Sequence, residues 1–414
     1  MRREVRQILI PYAIVILLAY IGFSLPLPIM PGMFLNPERT ILPDASLHTR
    51  MVLLGLVMAS FPIGQFIGSP LLGRLSDLYG RKKVILLSLA GAMVGYLITA
   101  YSVYSYSVWG MFTGFAVCGF CEGNVTIAQS VVADLTEKEE HQTEKAVHFG
   151  WINIFISVGF IIGPLMGGML ADPHVVSWFT FATPFWVAAC LTLVCMAVIY
   201  RFSKETLKRK AVQEWGIFSS IWSGVKKPRL KGYYLANFFL ALGYFSFFRF
   251  FPVFLERHFG FDPALLSYVM VYDSMAIAAG VIWLIPFLSK RLKPIQSLAL
   301  FSFLLAGSFI LCLLPSSPYF LWITLLPIGF CLAVVITNGA LLISNTASHQ
   351  FQGQAMGTLT SVQVLAEVVT GLAGGPLAAY TLNLPLYLGA SMAVVCSLLL
   401  FRSMHNEKQS LPKG

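Results

Sequence analysis

Stretches of about 20 mostly apolar residues, the length that crosses a hydrocarbon core, recur along this chain from end to end. They fall at 8–30, 50–72, 84–103, 107–132, 146–170 and 177–200. A second series follows at 233–254, 264–288, 295–314, 319–344, 355–380 and 384–401. Inside lipid a backbone must satisfy its own hydrogen bonds, and a segment of this length does so as an α-helix. The expected fold is therefore an all-α polytopic membrane protein with twelve transmembrane helices in two six-helix bundles. Charge content agrees. Only 11% of residues are charged, against roughly 25% in a soluble protein, and 57% are hydrophobic.

The one long polar stretch separates the two series. Residues 1–200 form the expected N-terminal bundle, 201–232 a basic cytoplasmic linker and 233–414 the C-terminal bundle. The linker holds nine Lys or Arg, and its WGIFSSIW segment suits a short interfacial helix. The apolar run after MRREVRQ is too long for a signal peptide core and is read as the first span.

Orientation follows from the basic residues. With both ends cytoplasmic, 24 Lys and Arg lie on the cytoplasmic side. Only Arg39, Arg50 and Arg257 lie opposite, and Arg249 lies within a span. The net charge of +10 is thus a matter of topology, and no nucleic-acid partner is expected. The seven cysteines all sit in apolar segments. Cys118 and Cys121 form a C-x-x-C without further ligands nearby, so both are read as small apolar residues and no metal or cofactor is expected.

The spans are rich in Gly and Pro, which allow close helix approach and bending. Pro26, Pro28 and Pro31 occur in the first, and Gly371, Gly374, Gly375 and Pro376 in the eleventh. After the second span the loop reads Gly73-R-L-S-Asp77-L-Y-Gly80-Arg81-Lys82-Lys83. Its glycines permit a tight turn, and Asp77 is placed to meet a helix N-terminus or a basic side chain.

This loop resembles the G-x-x-x-D-R-x-G-R-R/K signature of the major facilitator superfamily. Gly73, Asp77, Gly80, Arg81 and Lys82 match, and Leu78 replaces the usual Arg. The resemblance implies a conformational latch centred on Asp77, with Arg81 engaging Asp134 at the end of the fourth helix. In the fifth span, Gly159-F-I-I-Gly163-Pro164-L-M-Gly167-Gly168 is similar to the kinked interface motif of the proton-coupled drug antiporter branch, the tetracycline and multidrug efflux type. The segment from Ala133 to Glu140, His148-F-Gly150 and Gln352-Gly353-Gln354-A-M-Gly357 extend the likeness along the chain. Three positions depart from that branch. Ala19 and Phe115 replace its common first-helix Asp and fourth-helix Arg, and the second loop copy is reduced to F287-L-S-Lys290-Arg291-L-Lys293.

Ionisable residues within spans are costly and point to function. Glu122, Arg249, Asp273 and Glu367 lie deep in the apolar runs, whereas Glu256 and Arg257 fall near an outer interface. Glu122 is the leading proton-coupling candidate, with Asp273 and Glu367 as rivals. Arg249 either balances one of these acids or binds an anionic substrate. Tyr20, Asn124, Gln129, Tyr272, Asn338 and Gln363 are the candidate substrate-cavity residues, with aromatics of Tyr244-F-S-F-F adding apolar surface.

The chain has no P-loop, so the proton gradient is the expected energy source. The expected function is a non-enzymatic, proton-coupled secondary transporter exporting small amphipathic or drug-like compounds by alternating access. The alternative is a dedicated transporter of an anionic metabolite or chelator, including an importer. A membrane receptor or scaffold has less behind it, since no signalling domain is appended. The expected setting is a bacterial inner membrane, as a monomer in contact with lipids, protons and a small-molecule substrate. Reporter fusions at residues 40, 210 and 410 test the topology: 40 should report outside, and 210 and 410 inside. An outside signal at 210 refutes it.

Overall fold

The computed structural model describes residues 3–36, 39–122, 127, 131, 142–203, 205, 228–315, 317–347 and 352–410. Among these the regular elements are helices. The first series is α1 (Arg3–Ser24), α2 (Met30–Leu35), α3 (Leu47–Tyr79), α4 (Arg81–Tyr104), α5 (Val108–Phe120), α6 (Gln142–Leu170) and α7 (Thr183–Phe202). Then come α8 (Pro228–Phe259) and α9 (Pro263–Ala279), followed by a π-helical segment (Gly280–Leu284) that runs into α10 (Ile285–Ser289). The chain continues with α11 (Pro294–Leu311), α12 (Pro318–Thr346), α13 (Gln352–Tyr380) and α14 (Leu384–Ser410). Nine helices among the described residues are long and apolar enough to span a membrane. Ile10–Ser24, Val108–Phe120 and Ile154–Leu170 are shorter apolar helices.

Three expected spans differ in detail. The first run does not continue as one helix to residue 30. α1 ends at Ser24, turns follow, and α2 begins at Met30. Pro26, Pro28 and Pro31 lack the donors that would continue the ladder. The fourth run is interrupted: the helix α5 ends at Phe120, Cys121 and Glu122 form a turn, and Ile127 and Val131 are again helical. Glu122 lies in a turn, its backbone N–H donating to the Gly119 carbonyl at 2.9 Å. The eighth run is interrupted by the π-helical segment. Most of the 201–232 linker lies outside the described residues.

The chain divides into two compact units. One comprises Met1–Trp215 with Phe261–Val271, the other Gly216–Gly260 with Tyr272–Gly414. In the first, glycines set the helix spacing. A Cβ on Gly64 or Gly68 would run into the backbone of Ala116 or Phe120, and one on Gly119 into the Phe61 carbonyl, so α3 and α5 pack backbone to backbone. Gly159, Gly163 and Gly167 of α6 lie in the same way against Tyr20, Ile21, Ser24 and Leu25 at the end of α1. The Ser24 hydroxyl is 3.2 Å from the Gly159 carbonyl. Gly168 faces Pro263 and Ser267, and the Ser267 hydroxyl lies 2.7 Å from the Pro164 carbonyl.

In the second unit Gly243 of α8 and Gly389 of α14 face each other's carbonyls. The core beside them is aromatic. Phe247 stacks on Phe309 at 4.0 Å between centroids and on Phe251 at 4.6 Å. Gly280 meets Ala333 and Phe330, and Gly329 meets Ala276 and the backbone of Asp273, which closes α9 and the π-helical segment onto α12.

If backbone approach sets this packing, Gly119→Val should overpack the α3–α5 contact at a cost of about 1–3 kcal/mol. Gly307→Ala should cost little, because nothing lies within 4 Å of a Cβ there. Thermal unfolding in detergent checks this, and equal midpoints for the two variants would contradict it.

Candidate functional site

The loop joining α3 to α4 turns at Gly80, whose φ of +108° suits glycine. It forms a compact charged cluster. Arg81 pairs with Asp77 at 2.6 Å and donates to the Ser76 hydroxyl at 2.7 Å. A residue not anticipated from sequence, Glu205, completes it. The Glu205 carboxylate accepts from the backbone N–H groups of Arg81 at 2.9 Å and Lys82 at 3.2 Å. These are the first two donors of α4, which have no partner inside the helix, and an anion there also suits the helix dipole. Lys82 donates to the carbonyls of Tyr200 at 2.8 Å and Ser203 at 2.7 Å, at the other helix end. Ser203 in turn donates to the Tyr12 hydroxyl at 2.5 Å. The loop motif is thereby tied to the end of α7. Asp134, expected as the partner of Arg81, lies outside the described residues. Gly73 lies within α3 with nothing near its Cβ position.

In the first unit Glu122 is buried. Its carboxylate is within electrostatic reach of Tyr20, Tyr96, Cys118 and Cys121. Tyr96 is seated where Gly22 leaves room for its hydroxyl. Tyr20 packs against Phe160 at 5.3 Å between centroids. Asn124 and Gln129 lie outside the described residues.

In the second unit Arg249 of α8 and Glu367 of α13 form an ion pair with a direct Nη2–Oε1 hydrogen bond. Both residues are buried, at 9% and 4% exposure. Breaking such a pair by removing one partner leaves an uncompensated buried charge, at a cost of about 3–5 kcal/mol. Tyr244 lies within electrostatic reach of Glu367, and packs with Phe238 and Phe245 near Ala366, the residue preceding that acid. Asp273 of α9 is also buried, but its Oδ1 has no hydrogen-bond partner among the described residues. Tyr272 meets Trp322 edge to face at 5.2 Å. Asn338 is buried, its amide donating within α12 to the Val334 carbonyl at 2.9 Å. Gln363 is half-buried on α13, Glu256 is half-buried and Arg257 exposed. Among the described residues no cluster of His, Cys, Asp and Glu could hold a metal ion.

Sequence reasoning named both members of the Arg249–Glu367 pair but left open which acid Arg249 meets. It missed Glu205, which it counted only as part of the linker. A carboxylate just past a span, with a basic helix start elsewhere in the same half, is the signal that was available.

The family description Major Facilitator Superfamily matches residues 12–366. The class B tetracycline resistance protein of Escherichia coli is 31% identical over 195 residues, 47% of this chain and 43% of that protein. The aligned part of the chain thus spans less than half of that relative. The class D tetracycline resistance protein of Salmonella ordonez is 28% identical over 391 residues, 89% of this chain and 87% of that protein. Among solved structures, the human organic anion transporter MFSD10 (TETRAN) superposes with a TM-score of 0.68 at 21% identity. That superposition covers 96% of this chain and 100% of the other. At that identity the likeness concerns the fold.

Glu205→Ala should remove both side-chain acceptors from the start of α4. A lost cap costs about 1 kcal/mol, so the amides of Arg81 and Lys82 should exchange with solvent about 5-fold faster. Hydrogen exchange on peptides covering 80–84 reads this, and unchanged protection would show that Glu205 does not cap α4.

Proposed function

The chain belongs to the major facilitator superfamily, a transporter family rather than an enzyme family, and from that premise we propose that it is a proton-coupled secondary transporter of a small organic anion. The observation that carries this reading is the buried Arg249–Glu367 pair. Arg249 is the one basic residue that the sequence places within a span. A guanidinium at such depth is kept for a carboxylate-like partner, which it meets with planar, directional hydrogen bonds.

The pair gives a simple coupling rule. While Glu367 is ionised it occupies Arg249. Protonation of Glu367 removes that counter-charge, and the anionic group of the substrate takes its place. Loss of the proton restores the pair and displaces the anion. Proton and anion therefore bind together, and by linkage each raises the other's affinity. This is the sign of co-transport, so a proton gradient directed inward would drive anion import. Tyr244 and its neighbouring rings supply apolar surface beside the acid.

The rest of the reading is at family level. It comprises twelve spans in two six-helix bundles (1–200 and 233–414) joined by the 201–232 linker. It also comprises alternating access, cytoplasmic ends in a bacterial inner membrane and a monomer surrounded by lipid. Charge asymmetry supports the orientation. Asp77, Arg81 and Lys82, with Gly73 and Gly80, and Asp134, serve as the latch between conformations. Gly159, Gly163, Pro164, Gly167 and Gly168 serve as the kinked interface of α6. A second reading, export of amphipathic compounds, is favoured by the class D tetracycline resistance relative, whose match runs along most of the chain. In that reading Glu122, among Tyr20, Tyr96 and two cysteines, carries the proton.

Purified protein in proteoliposomes separates the two. A panel of radiolabelled carboxylates should bind the wild type more tightly as pH falls. Glu367→Gln should bind the same anion with little pH dependence and lose the proton that accompanies its exchange at Arg249. Arg249→Gln should lose anion binding at every pH. Loss of coupling in Glu122→Gln, with normal coupling in Glu367→Gln, would return the proton to Glu122 and favour export.

A further inference from the structure

Asp273 is the only residue with a formal charge in 263–289 and 294–346, which contain α9 to α12. It is 5% exposed, and its Oδ1 has no hydrogen-bond partner among the described residues. The Cys312 thiol is within electrostatic reach but donates to the Thr324 hydroxyl at 3.4 Å. Thr324 in turn donates to the Leu321 carbonyl at 3.0 Å. Both mobile protons beside the acid are thus committed elsewhere.

The other titratable groups on these helices offer no counter-charge. Tyr268 and Tyr319 are exposed, Tyr272 meets Trp322, and Cys331 is linked to Ser308. A carboxylate in this setting is costly as an ion, and an apolar residue would pack there at no such cost. Protonation is the change that relieves it, while Arg249 is paired with Glu367.

The surroundings also provide a way to open. Asp273 lies seven residues before Gly280, about 10 Å along a helix. Gly280 begins the π-helical segment, a break in the regular ladder of the kind found where helices bend at functional sites. Between them small residues face α12: Ala276 meets Gly329, and Gly280 meets Ala333 with Phe330 beside it. Small residues let such a seam adjust by small shifts.

We propose that Asp273 is a proton-binding site in its own right, lodged between α9, α12 and the end of α11, and loaded independently of the Arg249–Glu367 pair. The chemistry is a single protonation. A hydronium gives its proton to a carboxylate oxygen and leaves water, and the reverse occurs on release. The consequence for stoichiometry rests on the reading of Glu367 as the anion-linked acid: transport then carries one proton more than the anion exchange at Arg249 requires.

Infrared difference spectroscopy of the protein in lipid vesicles tests the site without reference to transport. The wild type should show a carboxylic-acid carbonyl band that appears as pH falls. Asp273→Asn should remove that band and Glu367→Gln should leave it. Cys312→Ser and Thr324→Val keep the acid and should shift the band, so the assignment stays testable if Asp273→Asn fails to fold. In vesicles, Asp273→Asn should retain pH-dependent anion binding and move one proton fewer per anion. A band that is absent, or unchanged with pH across the stable range, overturns the proposal. So does a band removed at fixed pH by sodium or potassium ions, which would make this a metal-cation site. If Arg249→Gln binds the anion normally while the Asp273 band titrates, the anion reading fails and the proton site stands.

Discussion

A chain that crosses hydrocarbon has no water to satisfy its backbone, and the rest of this structure follows from that constraint. It dictates helices, and it also removes the usual force that brings helices together, since lipid tails are as apolar as the side chains. What remains is close contact. Gly114 and Gly119 of α5, Gly163 and Gly167 of α6, Gly243 of α8 and Gly389 of α14 face the backbone of neighbouring helices. Buried hydroxyls obey the same rule by bonding within their own helix. Thr99 donates to Gly95, Thr192 to Ala188, Ser302 to Leu298 and Thr370 to Ala366. Against this pattern the two buried carboxylate oxygens without a hydrogen-bond partner among the described residues, Glu256 Oε2 and Asp273 Oδ1, are exceptions that call for a reason.

The deep charges meet the constraint in three ways. Glu122 has weakly polar neighbours, two tyrosines and two cysteines. Arg249 and Glu367 neutralise each other. Asp273 Oδ1 has no hydrogen-bond partner among the described residues. These solutions respond differently to a proton. At the pair, protonation frees a cation and so changes what else can bind. At Asp273 it changes only the acid itself and the seam around it.

Much of this was legible in the sequence, because the signals were local. A run of apolar residues reports a helix, and the Gly-rich pattern of α6 reports close contact along one face. Pro26, Pro28 and Pro31 were noted, yet their effect, a break between α1 and α2, was lost in a hydropathy window that averages over it. The turn at Cys121 and Glu122 was hidden for the same reason, since the apolar residues on either side dominate the average. Pairings between distant residues were harder. That Arg249 meets an acid could be expected from energetics, but the choice of Glu367 over Asp273 depends on which helices are neighbours. The place of Glu205 just past a span is visible in the sequence, but which remote helix start it caps is a tertiary contact with no local spacing to mark it.

If the pair is the substrate site, as proposed, it also constrains the charge of the substrate. A cationic compound would seek Glu367, and in taking it would leave the Arg249 guanidinium buried without its acid. That loss, about 3–5 kcal/mol for a broken buried pair, would have to be recovered from the rest of the compound. A neutral compound would gain nothing from either partner while they hold each other. An anion exchanges one acid for another at Arg249, and the proton on Glu367 keeps the buried charge balanced throughout. Under the proposed reading, the anion is the class that uses the pair without leaving a charge stranded in a low-dielectric interior.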